Sequence, residues 1–156
     1  MKCRLIAAGT RLPDWVNNGF LEYQKRLRSP LVLELHEISV ATRSAGENPQ
    51  RAVQRESADM LAAIGRDDYV VALEIGGKAM STEQLSAWLA ERLRDARPLA
   101  LLIGGPDGLS AAIRERADQS WSLSPLTLPH ALVRVVVAEQ IYRAMSLAAG
   151  HPYHRA

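Results

Sequence analysis

With 156 residues, 47% of them hydrophobic and 23% charged, the chain has the size and make-up of one ordinary globular domain with its own core, and it falls outside the disordered and membrane classes. A net charge of +2 is too small for a protein that grips naked nucleic acid through many phosphate contacts, so an RNA substrate would require a second subunit or a larger particle to complete the contact surface. A single cysteine, Cys3, excludes an internal disulfide framework.

In chain order, residues 2–7 read as a strand in which Cys3 is a small buried apolar residue, and the apolar run is too short for a signal peptide or a membrane span. The expectation is a cytoplasmic protein. A helix over 13–27 and a strand over 31–38 follow. The connection 39–47, with Thr42, Arg43, Ser44, Ala45 and Gly46, is the one long loop and is expected to be mobile. Asn48-Pro49 then places an N-cap residue before a proline at the first helical position, opening a helix over 48–64. A strand over 69–75 leads to a helix over 82–95, announced by Ser81 and Gln84 as a capping box. Strand 99–103, helix 110–117, a short strand near 121–123 and a helix over 131–149 complete the series, with Gly150 as the stop. The runs Val70-Val71-Ala72-Leu73 and Leu99-Ala100-Leu101-Leu102-Ile103 do not alternate, so they suit strands covered on both faces. The predicted class is α/β, a mainly parallel sheet with helices on both faces, in a single domain spanning 1–156.

Ligands of open parallel sheets bind beyond the carboxyl ends of the strands. Two strands here end alike, in Gly76-Gly77 and in Gly104-Gly105-Pro106-Asp107-Gly108, and the segment 123–128 leaves a third. Read singly, each Gly-Gly is a tight strand-to-helix turn; their recurrence adds a binding reading. Side by side, the three would form a cleft rich in backbone amides and carbonyls and walled by Leu73, Leu123, Leu126 and Leu128, suited to an adenine-containing ligand. Neither the dinucleotide fingerprint nor a P-loop is present. No histidine-carboxylate spacing suggests a metal site.

The last helix carries Val133, Val136, Val137, Ile141, Ala144, Met145 and Ala148 at spacings of three and four, which predicts a buried stripe. His130 and Arg134 share one face, and Glu139 and Arg143 another, the latter reading as a surface ion pair. In the tail, Tyr153 can stack on an unpaired base, His154 can exchange a proton near neutral pH, and Arg155 can stack or bind phosphate. A disordered tail is equally compatible with these residues alone.

Four segments in this order, Leu102-Ile103-Gly104-Gly105-Pro106-Asp107-Gly108, Leu123-Ser124-Pro125-Leu126-Thr127-Leu128-Pro129-His130, Glu139-Gln140-Ile141-Tyr142-Arg143-Ala144 and Pro152-Tyr153-His154-Arg155, closely resemble the ribosomal RNA large subunit methyltransferase H family of the SPOUT class. The resemblance covers the whole chain in length and layout and is strongest from residue 69 onward. It implies a C-terminal trefoil knot, S-adenosylmethionine as cofactor, a homodimer, and methylation of N3 of a pseudouridine in a large-subunit (23S) rRNA hairpin on the assembled 70S ribosome, with no membrane and no metal involved. Cofactor contacts fall on Leu73, Gly104, Leu123, Ser124, Pro125, Leu126, Thr127 and Leu128. Tyr153, His154 and Arg155 are the expected catalytic residues, His154 as proton acceptor, while Arg134 and Arg143 are weaker candidates for RNA contact. Two alternatives stay open on the residues themselves, another adenine-nucleotide-binding α/β enzyme and a non-catalytic ribosome-binding factor.

Overall fold

A computed structural model describes residues 1–155. Five strands, Lys2–Ala8 (β1), Val32–Ile38 (β2), Tyr69–Ala79 (β3), Leu99–Ile103 (β4) and Gln119–Ser122 (β5), form one sheet in the order β2-β1-β4-β3-β5. Every ladder in it is parallel. The helices are Asp14–Gln24 (α1), Pro49–Ala63 (α2), Thr82–Asp95 (α3), Ala111–Arg116 (α4) and His130–Ala148 (α5), followed by a 3₁₀ turn at Pro152–Arg155.

Burial on both faces explains the non-alternating strands. Leu5, Val71, Leu101 and Ile103 pack into one core with Phe20 of α1, Leu85 and Leu89 of α3 and Ile141 of α5. Ile6, Val70, Ala72 and Leu102 point the other way, toward Met60 of α2 and Ile113 of α4. Each of these strand residues therefore has a hydrophobic neighbour whichever way the pleat turns it. Cys3 is wholly buried, and desolvation pushes its thiol up to about 12, which keeps it an unreactive core residue at neutral pH.

Local start and stop signals act as expected. Ser81 and Gln84 form both halves of the capping box at α3, and Asn48 Oδ1 accepts from the Gln50 amide at the head of α2, with Pro49 in the first turn. Gly150, at φ +69°, ends α5, and the His151 amide reaches back to the Ser146 carbonyl at 2.9 Å.

Two expectations, for β3 and for α5, are corrected. Gly76-Gly77 does not follow β3 but lies inside it: Leu73 and Lys78 both pair with Trp121, so residues 74–77 loop out of the ladder opposite a single partner. The 39–47 connection has no regular structure, yet ion pairs hold it, Arg43 to Glu56 and Asp107, and Glu47 to Arg55. The buried face of α5 is rotated from the expected stripe. Arg134, Val137, Ala138, Ile141, Ala144 and Ser146 are buried, while Val136 and Met145 are half-buried and Ala148 is exposed.

Candidate active site

Beyond the carboxyl ends of β3, β4 and β5, the structure brings the three segments together around a cavity of about 680 Å³, within the roughly 300–1,000 Å³ typical of small-ligand sites. Leu73, Glu74 and Gly76 come from β3 and its bulge, and Gly104, Gly105 and Gly108 from the turn after β4. Leu123, Ser124, Leu126, Thr127 and Leu128 come from the segment after β5, and His130 and Val133 from the start of α5. Pro125 is the one expected cofactor contact outside this lining, and it is exposed.

The turn at 104–108 closes on itself tightly. A Cβ at Gly104 would lie 2.7 Å from the Gly108 carbonyl carbon and oxygen, so only glycine lets the two strands of the turn approach. The opposite wall is shaped by serines: Ser122 Oγ donates to the Ser124 carbonyl at 3.2 Å, and Ser124 Oγ accepts from the Leu126 amide at 2.9 Å. This leaves Leu126 71% exposed at the rim, an apolar side chain with open space before it.

Polar side chains are few in the lining. Arg114 Nε donates to Glu74 Oε2 at 2.8 Å, and Ser120 Oγ donates to Glu74 Oε1 at 3.1 Å, so the carboxylate at the rim is already held. His130 also lines the cleft, and burial first and the neighbouring Arg134 charge second keep its imidazole below the ordinary value of 6.5. An apolar-walled cavity edged by backbone amides and carbonyls fits an adenosyl group with a short polar chain. The donor set therefore suits S-adenosylmethionine.

The tail lies elsewhere in the same protomer. Helix α5 leads away from the cleft, and the 3₁₀ turn after it folds back to Glu139, nine residues and about 14 Å of helix from His130. The Tyr153 hydroxyl lies 3.2 Å from Glu139 Oε1 and 3.4 Å from the Tyr23 hydroxyl, and its ring meets Tyr142 edge-on at 4.7 Å. The Arg143 guanidinium, paired with Glu139 at 2.6 Å, lies 5.0 Å from the same ring. Burial, with the Tyr23 hydroxyl and the Glu139 charge, pushes the Tyr153 phenol up, so it is protonated at any working pH. Tyr153 is thus an anchor of the tail here, rather than a ring free to stack on a base.

His154 Nδ1 lies 2.5 Å from the His151 carbonyl, which can only accept; Nδ1 must carry the proton, leaving Nε2 of the neutral ring with its lone pair. Arg155 is exposed.

Arg134 is not available to RNA. It is 1% exposed, with Nη1 2.7 Å from Glu37 Oε2 and Nη2 2.6 Å from the Gly9 carbonyl and 3.2 Å from that of Ala8. Helical spacing set it beside His130 but could not show that the end of β1 offers two free carbonyls to satisfy it. Glu74, Arg114 and His130 were likewise absent from the expected cofactor contacts, since each enters through the bulge or through packing between distant elements.

Among the described residues, no group of three histidine, cysteine or acidic side chains could hold a metal ion, and no helix is long and apolar enough to cross a membrane.

A family model described as "Predicted SPOUT methyltransferase" matches residues 1–154. A protein named ribosomal RNA large subunit methyltransferase H from Xanthomonas oryzae pv. oryzae is 53% identical over 156 residues, 100% of both chains. Its namesake from Stenotrophomonas maltophilia is 52% identical with the same full coverage. Among solved structures, a probable methyltransferase from Bordetella pertussis Tohama I superposes with a TM-score of 0.57 at 17% identity, covering 92% of this chain and 95% of that one, a likeness of fold.

Proposed function

The chain belongs to the SPOUT methyltransferase family, and from that premise we propose that it transfers a methyl group from S-adenosylmethionine to large-subunit ribosomal RNA, at N3 of a pseudouridine, acting as a homodimer on the assembled 70S ribosome. The observation that carries the reading is the full-length identity of 53% to a large-subunit rRNA methyltransferase, which leaves no part of either chain unmatched. The low net charge of +2 supports the ribosome over free RNA, because neighbouring ribosomal surface can replace a basic patch.

When bound, S-adenosylmethionine supplies an electrophilic methyl on a sulfonium. Leu73, Leu123, Leu126 and Leu128 exclude water from its adenosyl portion, and the backbone around Gly104, Ser124 and Thr127 pairs with its polar edges. An imide nitrogen such as N3 is nucleophilic only after losing its proton, so the protein must also offer a base. Nε2 of His154 takes that proton in this reading, Arg155 steadies the resulting charge or a phosphate, and Tyr153 holds the 3₁₀ turn that presents both. In this reading the tail, anchored at Glu139 about 14 Å along α5 from His130 and outside the cleft lining, serves the cleft of the partner subunit, which makes the homodimer part of the mechanism.

The C-terminal knot belongs to the same reading. It is supported by the segment after edge strand β5 sharing the cleft lining with the 104–108 turn and by α5 packing against β1 and β4. Labelled S-adenosylmethionine incubated with ribosomes lacking the modification tests the function. Label in one pseudouridine of the large-subunit rRNA, with little in the isolated hairpin, is expected; no transfer to ribosomes overturns the proposal.

A further inference from the structure

The 39–47 connection is the one segment to which neither fold nor cleft assigns a task. We propose that Arg43 is a positioning residue for the cofactor turn, and that this connection is the strap holding the 104–108 turn in its binding shape. The inference rests on reading the cleft as the S-adenosylmethionine site.

One guanidinium joins three parts of the molecule. Arg43 Nε meets Asp107 Oδ2, on the turn itself, at 2.6 Å. Its Nη2 lies 3.0 and 3.4 Å from the two carboxylate oxygens of Glu56 on α2, and its Nη1 donates to the Ala41 carbonyl in its own loop at 2.9 Å. The strap is fixed beside this point as well, since Arg55 reaches the Thr42 carbonyl at 2.9 Å and Glu47 at 3.0 Å.

Glu56 makes the arrangement more than a surface clasp. Its side chain is 3% exposed, and a Cβ built at Gly105 would lie 2.9 Å from its Oε1, so the carboxylate rests directly against the backbone of the turn. A buried carboxylate is tolerable only when paired, and Arg43 is the side chain that pairs it. Gly104, Gly105 and Gly108 line the cleft with their other side. The turn is therefore pressed between the Glu56–Arg43 pair and the ligand space, with Asp107 gripped at its tip. A lysine could not substitute, because one ammonium on a flexible stem lacks the planar fork that reaches three acceptors in different directions. Arg43 is not part of the cleft lining, so its effect falls on the ordering cost of binding rather than on the transfer step.

The test measures S-adenosylmethionine affinity by calorimetry, amide exchange of residues 104–108 in the cofactor-free protein, and kcat against KM. Arg43→Gln should weaken binding by about tenfold and speed exchange in the turn, with KM for the cofactor changing more than kcat. Asp107→Asn, whose side chain is 37% exposed and whose loss leaves the buried pair intact, should weaken binding by about threefold. Arg43→Lys should recover less than half of the lost affinity on a logarithmic scale. The double variant Arg43→Gln/Glu56→Gln removes the buried charge together with its partner, and should fold yet still bind weakly because the grip on Asp107 is gone. Wild-type affinity in the double variant would reduce Arg43 to a counter-ion and overturn the proposal. Unchanged affinity and exchange in Asp107→Asn would overturn it as well, even if Arg43→Gln failed to fold. A wild-type protein that bound no S-adenosylmethionine would refute the proposed function instead, and exchange in the turn would still decide the strap.

Discussion

His154 and Tyr153 are adjacent and differ in what their surroundings allow. The Tyr153 phenol, desolvated and facing Glu139, keeps its proton, whereas the His154 ring is tied through Nδ1 to the His151 carbonyl and presents Nε2 as an acceptor. Of the two, only His154 can serve as a base. Replacing it removes proton transfer but nothing in the cleft. His154→Ala should therefore lower kcat by about 10²–10⁴-fold, the usual contribution of a general base, while S-adenosylmethionine affinity stays within about twofold. Single-turnover methylation and calorimetry on the same preparation check both halves. Equal losses in rate and affinity would assign the ring to folding of the tail instead.

At the scale of the element, the head of α5 shows how a helix start is adapted to a site. It has no side-chain cap, since Pro129 stands where one would be, and its first turn has no acidic residue. Burial first and the Arg134 guanidinium second act against a charged His130, with Glu56 nearby opposing them and Arg43 adding to them. The folded protein thus binds a proton at His130 less readily than the unfolded chain does. Stability is unaffected above the ordinary value of 6.5 and falls as pH drops through and below it, because the unfolded state then takes up the proton first. His130→Gln should flatten the loss of unfolding midpoint between about pH 7 and pH 5. An unchanged slope would place the acid-sensitive group elsewhere.

The same elements show what the sequence could and could not convey. The 69–73 and 99–103 runs announced doubly covered strands because a short apolar run without alternation puts hydrophobic side chains on both sides of the pleat, and Ser81 with Gln84 fixed the start of α3 by local chemistry alone. The bulge at 74–77 was not legible, since it depends on Trp121 of β5, far along the chain. The rotated face of α5 was hidden for a related reason: a helical pattern scores Arg134 as polar, and the Glu37 carboxylate with the carbonyls of Ala8 and Gly9 makes its burial tolerable. In the cleft, the leucines and glycines were visible as strand-end residues, but Glu74, Arg114 and His130 become neighbours only through tertiary packing.

The molecule as a whole poses a question of geometry, because within one protomer the tail is anchored at Glu139, about 14 Å along α5 from His130, and none of Tyr153, His154 and Arg155 lines the cleft. A two-fold dimer that brings the tail of one chain to the cleft of the other would resolve it, with each composite site drawing on both subunits. Two variants, each damaged in one half, can separate this from a tail that folds back on its own cleft. Gly104→Ala injures the cleft, because the new Cβ would lie 2.7 Å from the Gly108 backbone, and His154→Ala injures the tail. Each alone should be nearly inactive. Unfolded together and refolded as an equal mixture, half of the dimers contain one chain of each kind, and each such dimer has one site with an intact cleft and an intact tail. Shared sites therefore predict recovery of about one quarter of wild-type activity. Sites formed within one chain predict only the average of the two parents, and mass measurement of the refolded dimers verifies that mixing occurred. Recovery near one quarter would make the dimer the catalytic unit; none, in a verified mixture, would require the tail to leave the Glu139 and Tyr23 contacts and cross to its own cleft.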